Sequence, residues 1–232
     1  DTNGNAVELT LDYNIYVPSD YTEEESLPVV LILHGAGQTY NPSTGEEPTD
    51  MILKRYQMAT VFAKDSEAGT NRCIVIAPQY NTANALDGVL GWGYGNKLSD
   101  SGKAAYALLK KTVDKYNADY SKLYIAGCSM GAMGTYAMLE NHPYTFAAAI
   151  PVCGKVTDDY DYSAISTMSN KLYIAHAQGD QSVDFSNFEK ITAGLQDAGI
   201  YYESIIYTAQ QVFYPQPHFS WVPTFANEEI RN

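Results

Sequence analysis

The sequence has few cysteines, and their spacing matches no common metal or disulfide pattern. Its 232 residues include three, Cys73, Cys128 and Cys153, without C-x-x-C spacing and without a His/Cys cluster. An odd number in this pattern argues against both a zinc site and a disulfide framework. We therefore expect three core thiols, and we predict no metal site and no cofactor.

Positive charge is also scarce, because 14 Lys and Arg residues stand against 27 Asp and Glu, a formal net charge of −13. Such a charge repels phosphate backbones and anionic lipid, so we expect no nucleic acid and no membrane surface among the partners. The longest apolar runs, residues 29–33 and 146–152, are far shorter than the roughly 20 residues that cross a bilayer. We expect a neutral or cationic substrate.

No repeat, low-complexity tract or Gly/Ser/Pro-rich linker divides the chain. Because 45% of the residues are hydrophobic, the chain can bury a sizeable core, and we predict one domain over residues 1–232. The chain begins at Asp1 without a basic or apolar leader segment. Any export signal is therefore expected to be absent from this chain.

Short apolar runs alternate with helix-like stretches along most of the chain. Strands are predicted over residues 27–33, 73–77, 123–126, 146–150, 172–175 and 204–207, and helices over residues 52–63, 103–116, 132–139 and 188–195. This alternation predicts an α/β fold with a mostly parallel sheet and helices on both faces. Residues 7–17 alternate with period two instead, which predicts an antiparallel edge strand.

A G-x-S-x-G motif, Gly127-Cys-Ser129-Met-Gly131, lies between a predicted strand and a predicted helix. A sharp turn there lifts the serine hydroxyl clear of the sheet, and the glycines permit the close approach of backbones. The alternative is a helix N-terminus with glycines for packing. Since a serine hydroxyl is a weak nucleophile, catalysis also requires a histidine base and an orienting carboxylate.

Of the four histidines, His218 follows the last predicted strand, from where a base can reach back over the sheet edge. His34 lies before the motif in a His-Gly turn suited to an oxyanion loop, His142 is predicted to end a helix, and His176 ends a strand. We predict His218 as the base. The alternative is a histidine in a surface loop.

Two carboxylates follow the strand that ends near residue 175, and we choose Asp180 as the acid. It comes directly after Gly179, which supplies a tight turn, whereas Asp184 is better interpreted as a helix cap. The order Ser129, Asp180, His218 is the order of the α/β hydrolases. For the oxyanion hole we predict the N–H of Met130 and a second N–H from Ala36 or Gly37, which the sequence does not separate.

The motifs together resemble, in order, the esterase branch of the α/β hydrolases that includes feruloyl esterases, acetylxylan esterases and polyhydroxybutyrate-depolymerase-like enzymes. They are Leu33-His-Gly-Ala-Gly37, Ala77-Pro-Gln79, Gly127-Cys-Ser-Met-Gly131, Ile150-Pro-Val-Cys-Gly154, His176-x-x-x-Asp180 and His218-x-x-Trp221. The resemblance implies an α/β-hydrolase fold and carries the nucleophile, acid and base onto Ser129, Asp180 and His218. It also implies an exported enzyme, often one module of a longer polypeptide. Cys128 and Ala177 depart from the usual pattern without removing a catalytic group.

The expected activity is metal-independent hydrolysis of a carboxylic ester, on acetyl, hydroxycinnamoyl or other short acyl esters of plant polysaccharides. A polyester depolymerase, a serine peptidase and a catalytically inactive carbohydrate-binding module are the alternatives. We predict Gln79, Trp92 and Trp221 as substrate contacts, with packing of loops onto the sheet as the alternative for the aromatics. Residues 155–170 are too few for a large lid, so an open, shallow site is expected.

Overall fold

The computed structural model describes residues 9–37, 57–81, 89, 91–167, 171–212 and 216–231. Its centre is a seven-stranded sheet in the order β1-β3-β2-β6-β7-β8-β9, beside a separate β4–β5 pair. The strands are β1 (Tyr13–Tyr16), β2 (Val29–Leu33), β3 (Ile74–Pro78), β4 (Gly93–Tyr94), β5 (Lys97–Leu98), β6 (Leu123–Cys128), β7 (Ala148–Val152), β8 (Tyr173–Ala177) and β9 (Glu203–Tyr207).

Six α-helices accompany these strands in the described part of the chain. They are α1 (Thr60–Glu67), α2 (Asp100–Lys115), α3 (Met130–Asn141), α4 (Ser186–Asp197), α5 (Trp221–Ala226) and α6 (Glu228–Arg231). Within the described ranges, 3₁₀ helices cover Tyr162–Thr167 and Pro217–Phe219. None of the helices in the described ranges is both long and apolar enough to span a membrane.

The predicted sheet type is confirmed. β1 pairs antiparallel with β3, and the other pairings within the seven-stranded sheet are parallel. Strand β2 is buried on both faces, because Leu31 belongs to the core cluster that includes residues of α2 and α3, whereas Val30 belongs to the cluster that includes residues of α1 and α5. This explains why β2 is a continuous run of Val, Leu and Ile rather than an alternating pattern.

Several element boundaries differ from the prediction, including those of the edge strand and of α1. The edge strand is only Tyr13–Tyr16, and residues 1–8 lie outside the described part. Helix α1 is Thr60–Glu67, further along the chain than the predicted 52–63, and residues 51–56 are not described. The β4–β5 hairpin, whose two-residue turn Gly95-Asn96 has Gly95 at φ +61°, lies in a stretch for which no strand was predicted. Gly-Asn is a hairpin turn signal that the sequence analysis overlooked.

Parallel pairing brings the carboxyl ends of β2, β6 and β8 to one edge of the sheet. His34 directly follows β2, Ser129 follows β6, and Asp180 lies three residues after β8. The loop that follows β9 leads to the 3₁₀ helix containing His218. The topology therefore gathers at one edge the residues that the sequence singles out.

Candidate active site

Ser129 occupies a strained turn between β6 and α3. Its φ of 52° and ψ of −116° lie in a region that side-chain-bearing residues rarely adopt. Its N–H donates to the carbonyl oxygen of Val152 at 2.9 Å, which holds the turn against β7. The hydroxyl is consequently presented at the sheet edge, as the motif predicts.

The glycines that flank Ser129 are required by close backbone contacts. A Cβ placed on Gly131 would lie 1.9 Å from the carbonyl oxygen of Leu33, and a Cβ on Gly127 would lie 2.4 Å from the carbonyl oxygen of Gly131. No real Cβ tolerates such distances. The first turn of α3 can therefore pack against the end of β2 only with glycine at these positions.

His218 links Ser129 to Asp180. Its Nδ1 lies 2.8 Å from Asp180 Oδ2, and its Nε2 lies 2.9 Å from Ser129 Oγ. Because an ionised carboxylate only accepts, Nδ1 carries the proton, so Nε2 accepts from the serine hydroxyl. All three side chains are buried, and the result is a hydrogen-bonded chain from carboxylate to imidazole to hydroxyl.

Asp180 is held on both of its oxygens. Oδ1 accepts the N–H groups of Ser182 at 2.8 Å and Val183 at 2.9 Å, while Oδ2 faces His218. Burial by itself would raise the pKa of Asp180, but the hydrogen bonds from His176, His218 and Val183 outweigh burial and hold the pKa well below its usual value. Asp180 therefore remains ionised beside the imidazole.

Asp184 is not part of this chain. Its Oδ1 accepts the N–H of Ser186 at 2.8 Å, at the start of α4, and the residue is exposed to solvent. The structure thus places Asp180 against the imidazole and Asp184 at the helix start, which is the division that the sequence suggested.

His176 belongs to the same network, a contact that the sequence reasoning missed. Its Nε2 lies 2.9 Å from the carbonyl oxygen of Val183 and 3.2 Å from Asp180 Oδ2, and the side chain is 1% exposed. The available signal was the His176-x-x-x-Asp180 spacing. Spacing alone did not show that the turn after β8 folds back onto the last part of the same strand.

The predicted oxyanion donors lie on both sides of Ser129. Met130 is the first residue of α3, where its N–H is free of the helical ladder and the helix dipole is positive. Ala36 and Gly37 are exposed and follow Gly35, at which a Cβ would lie 3.2 Å from Cys128 Sγ and 3.5 Å from Ser129 Cβ. The loop therefore passes directly beside the serine, and either Ala36 or Gly37 remains a candidate for the second donor.

His34 fixes the start of that loop. Its Nδ1 lies 2.8 Å from the carbonyl oxygen of Gly35, and its Nε2 lies 2.9 Å from the N–H of Tyr80 and 3.1 Å from Gln79 Nε2. Nδ1 consequently carries the proton and Nε2 accepts. Burial lowers the pKa of His34 to about 4, so the imidazole is neutral near neutral pH.

The three predicted substrate contacts, Gln79, Trp92 and Trp221, are buried. Trp92 is 0% exposed and donates its indole N–H to the carbonyl oxygen of His34, a contact of the packing kind given above as the alternative for the aromatics. Gln79 bonds His34, and Trp221 packs edge-on against the His218 ring at 5.2 Å. The sequence placed these residues beside the site without showing that their side chains point into the core.

The cysteines are three buried free thiols. Cys153 Sγ lies in a group with Asp180 and His218 whose potential ligand atoms are all within 4.8 Å of one another, the one such group found among the described residues. Asp180 and His218 already bind each other at 2.8 Å. These two side chains are therefore hydrogen-bonded to each other within the chain that ends at Ser129.

Comparison with known proteins identifies the family. Residues 11–179 match the family model described as esterase PHB depolymerase. Acetylxylan esterase A of Emericella nidulans is 25% identical over 223 residues, covering 86% of this chain and 65% of that relative. A probable acetylxylan esterase A of Aspergillus fumigatus is 29% identical over 145 residues, and the match covers 62% of this chain and 34% of that protein. The chain thus matches less than two thirds of the length of these relatives.

Solved structures show the same fold. A structure described as a thermostable esterase superposes with a TM-score of 0.77 at 27% identity, covering 95% of this chain and 57% of that one. A ferulic acid esterase gives a TM-score of 0.64 at 15% identity over 91% of this chain and 92% of that one, a likeness of fold. The family match spans well over half of the chain, and the α/β-hydrolase fold and esterase family predicted from the motifs are confirmed. The chain belongs to the esterase PHB depolymerase family.

Proposed function

We propose that this protein is a serine hydrolase of carboxylic esters, with Ser129 as nucleophile, His218 as general base and Asp180 as the orienting carboxylate. The observation that carries the proposal is the uninterrupted chain from Asp180 through His218 to Ser129, with distances of 2.8 and 2.9 Å. His218 takes the Ser129 proton as the hydroxyl oxygen attacks the ester carbonyl. Asp180 stabilises the imidazolium that forms, because its lowered pKa keeps it ionised.

The tetrahedral intermediate carries its negative charge on the former carbonyl oxygen. The N–H of Met130 and one N–H of Ala36 or Gly37 are the proposed donors to that oxygen. His218 then gives its proton to the departing alcohol, which leaves an acyl group on Ser129 Oγ. Water, deprotonated by His218, attacks the acyl carbon and regenerates the serine.

The proposed substrates are acetyl, hydroxycinnamoyl or other short acyl esters carried by plant polysaccharides. Relatives described as acetylxylan esterases and a structural neighbour described as a ferulic acid esterase support this class. Between β7 and β8 the described residues contain one 3₁₀ helix, Tyr162–Thr167, and no further helix. So short an insertion suits an open site that receives a group displayed on a polymer. Action on such polymers would take place outside the cell, which is the location we propose.

A polyester depolymerase is the second candidate, and the name of the matching family favours it. It uses the same acyl-enzyme chemistry, so the two candidates differ in substrate and not in mechanism. A film of poly(3-hydroxybutyrate) separates them. Clearing of the film at a rate above that for acetylated xylan would assign the protein to the second class.

The test of the proposed function is labelling with a fluorophosphonate, which forms a bond to an activated serine. The wild-type protein is expected to be labelled, and Ser129→Ala is expected to be unlabelled. Ser121→Ala changes an exposed turn that precedes β6, whereas Ser129 follows that strand. This control should be labelled at the wild-type rate. Absence of label on the wild-type protein would contradict the proposal and favour a binding module. A panel of aryl esters should then show rates that fall as the acyl chain lengthens, because a long chain finds little concave apolar surface.

A further inference from the structure

The acid Asp180 is bound by two histidines, and the reaction described above uses only one of them. His218 Nδ1 lies 2.8 Å from Asp180 Oδ2, and His176 Nε2 lies 3.2 Å from the same oxygen. His176 makes no direct hydrogen bond to Ser129; its Nε2 contacts Val183 and Asp180. An effect of His176 on the reaction is therefore exerted through Asp180.

The proton position on His176 follows from its partners. Its Nε2 lies 2.9 Å from the carbonyl oxygen of Val183, which can only accept, so Nε2 carries a proton. The same nitrogen lies 3.2 Å from Asp180 Oδ2, so the positive end of this N–H dipole faces the carboxylate. The ring is held edge-on against Phe185 and Phe188, with centroids 5.8 and 6.2 Å away. The donor is consequently fixed in direction.

Val183 closes the arrangement. Its N–H donates to Asp180 Oδ1 at 2.9 Å, while its carbonyl oxygen accepts from His176. His176 lies on β8, whereas Asp180 and Val183 lie in the turn that follows. The imidazole therefore ties the turn that carries the acid to the strand that precedes it.

We propose that His176 is a positioning residue for the reaction, which fixes the turn of Asp180 and draws part of the negative charge of Oδ2 away from His218. The inference rests on the proposed function of Ser129, Asp180 and His218. Charge withdrawn from Oδ2 stabilises protonated His218 less. Loss of the second histidine is therefore expected to move the acid limb of the pH profile of the reaction upward.

Other ionisable groups face this cluster from neighbouring elements and stay the same in the variants. Cys153, which follows β7, has its Sγ within 4.8 Å of the nearest Asp180 and His218 ligand atoms, and burial raises its pKa well above the usual value. Asp184, near the start of α4, interacts electrostatically with both His176 and Asp180. A change in pH dependence on substitution of His176 is therefore assignable to the lost donor.

Two substitutions separate the donor from the packing. His176→Phe keeps a planar ring between Phe185 and Phe188 but removes the N–H. His176→Gln removes the ring but places an amide N–H₂ the same number of bonds from the backbone as Nε2. His142→Phe is the matched control, since His142 ends α3 and stacks on Tyr106 with centroids 3.5 Å apart, away from the chain to Ser129.

The experiment measures the fluorophosphonate labelling rate of each protein across the pH range in which histidine titrates. His176→Phe is expected to lower the plateau rate about tenfold, the factor for one hydrogen bond to a charged group. It should also move the acid limb of the profile upward. His176→Gln should restore most of the rate and the wild-type acid limb, and His142→Phe should match the wild type.

The outcomes distinguish this inference from the proposed function. If the wild-type protein is not labelled, the proposed function fails before the variants are compared. If the wild type is labelled and both His176 variants have the wild-type plateau and acid limb, His176 positions nothing and the inference is overturned. A lower plateau with an unmoved acid limb in both folded variants would also overturn it, because packing alone would then explain the loss. Should His176→Phe fail to fold, His176→Leu, which also removes the N–H, takes its place and is judged by the same outcomes.

Discussion

The two ends of the central sheet are built from different kinds of polar contact. At the carboxyl end, His218 is hydrogen-bonded to both Asp180 and Ser129 and so connects a buried carboxylate to a hydroxyl. At the amino end, a cavity of about 410 Å³ lies against β6, β7 and β8, lined by apolar residues such as Tyr124 and Ile150. The residues that line this cavity form no such chain.

Charged groups around the amino-end cavity pair with one another. Arg231 binds Asp65 at 2.6 Å, and Lys171 binds Glu203 at 3.2 Å. Neither ion pair is hydrogen-bonded to a serine hydroxyl or a cysteine thiol of the described residues. The comparison teaches that the presence of a cavity does not by itself identify the candidate active site in this molecule. The site is marked by a series of buried, hydrogen-bonded groups, from the carboxylate of Asp180 through the imidazole of His218 to the hydroxyl of Ser129, a residue with strained backbone.

The largest expected effect at the carboxyl end is on turnover. Asp180→Asn should lower kcat about 10³–10⁴-fold, because an amide beside Nδ1 no longer holds the imidazole in the required tautomer. Asp184→Asn should stay within about twofold of the wild type, since Asp184 caps a turn at α4. Ester hydrolysis by the two variants, with circular dichroism to establish folding, measures this. Equal losses would show that the wrong carboxylate has been chosen.

A second contrast concerns backbone packing at the carboxyl end. Gly131→Ala should lower the free energy of unfolding by at least about 3 kcal/mol, because its Cβ would meet the Leu33 carbonyl oxygen at 1.9 Å. Gly199→Ala is the matched control, with φ +67° and no atom within 4 Å of the added Cβ. It should cost about 1 kcal/mol from backbone strain alone. Chemical denaturation measures both, and a similar cost at the two positions would contradict the close approach of α3 to β2.

Stability should depend on pH through His34. Its pKa is about 4 in the folded protein against an ordinary 6.5. Above the ordinary pKa both states leave the imidazole neutral. Below it the unfolded chain binds a proton that the folded protein excludes, so stability falls as pH falls from about 6.5 towards 4, by about 2 kcal/mol at pH 5.

The matched variant for this prediction is His34→Gln, which keeps a polar side chain but does not titrate. It should be less stable than the wild type near neutral pH and show a shallower loss on acidification. Burial also lowers the pKa of His142, which contributes equally to the slope in both proteins. Urea denaturation at several pH values measures the slopes. Parallel slopes would refute a neutral, buried His34 beneath the oxyanion loop.

The smallest effects are expected at the amino end. Arg231→Met should cost about 1–2 kcal/mol of stability, because it leaves the partly buried Asp65 carboxylate without its partner. Lys171→Met, whose pair with Glu203 is exposed, should change stability by less than about 0.5 kcal/mol. Neither substitution should change the rate of ester hydrolysis by more than about twofold, because both residues lie at the end of the sheet opposite Ser129. A large loss of activity in Arg231→Met would contradict the conclusion that the amino end contributes to stability and not to catalysis.

The sequence by itself determined the sheet type, the chain order of Ser129, Asp180 and His218, and the preference for Asp180 over Asp184. These depend on local patterns, namely apolar runs bounded by turn residues, and on the rule that parallel strands present their carboxyl ends at one edge. Short-range chemistry is visible in a sequence because neighbouring residues along the chain share one element.

Only the tertiary structure decided which way the side chains near that edge point. Trp92 and Gln79 lie beside the site in sequence, yet their side chains turn inward to hold His34. His176 reaches Asp180 because the turn after β8 folds back on the strand. Such contacts are set by χ angles and by packing against distant elements, which no periodicity records.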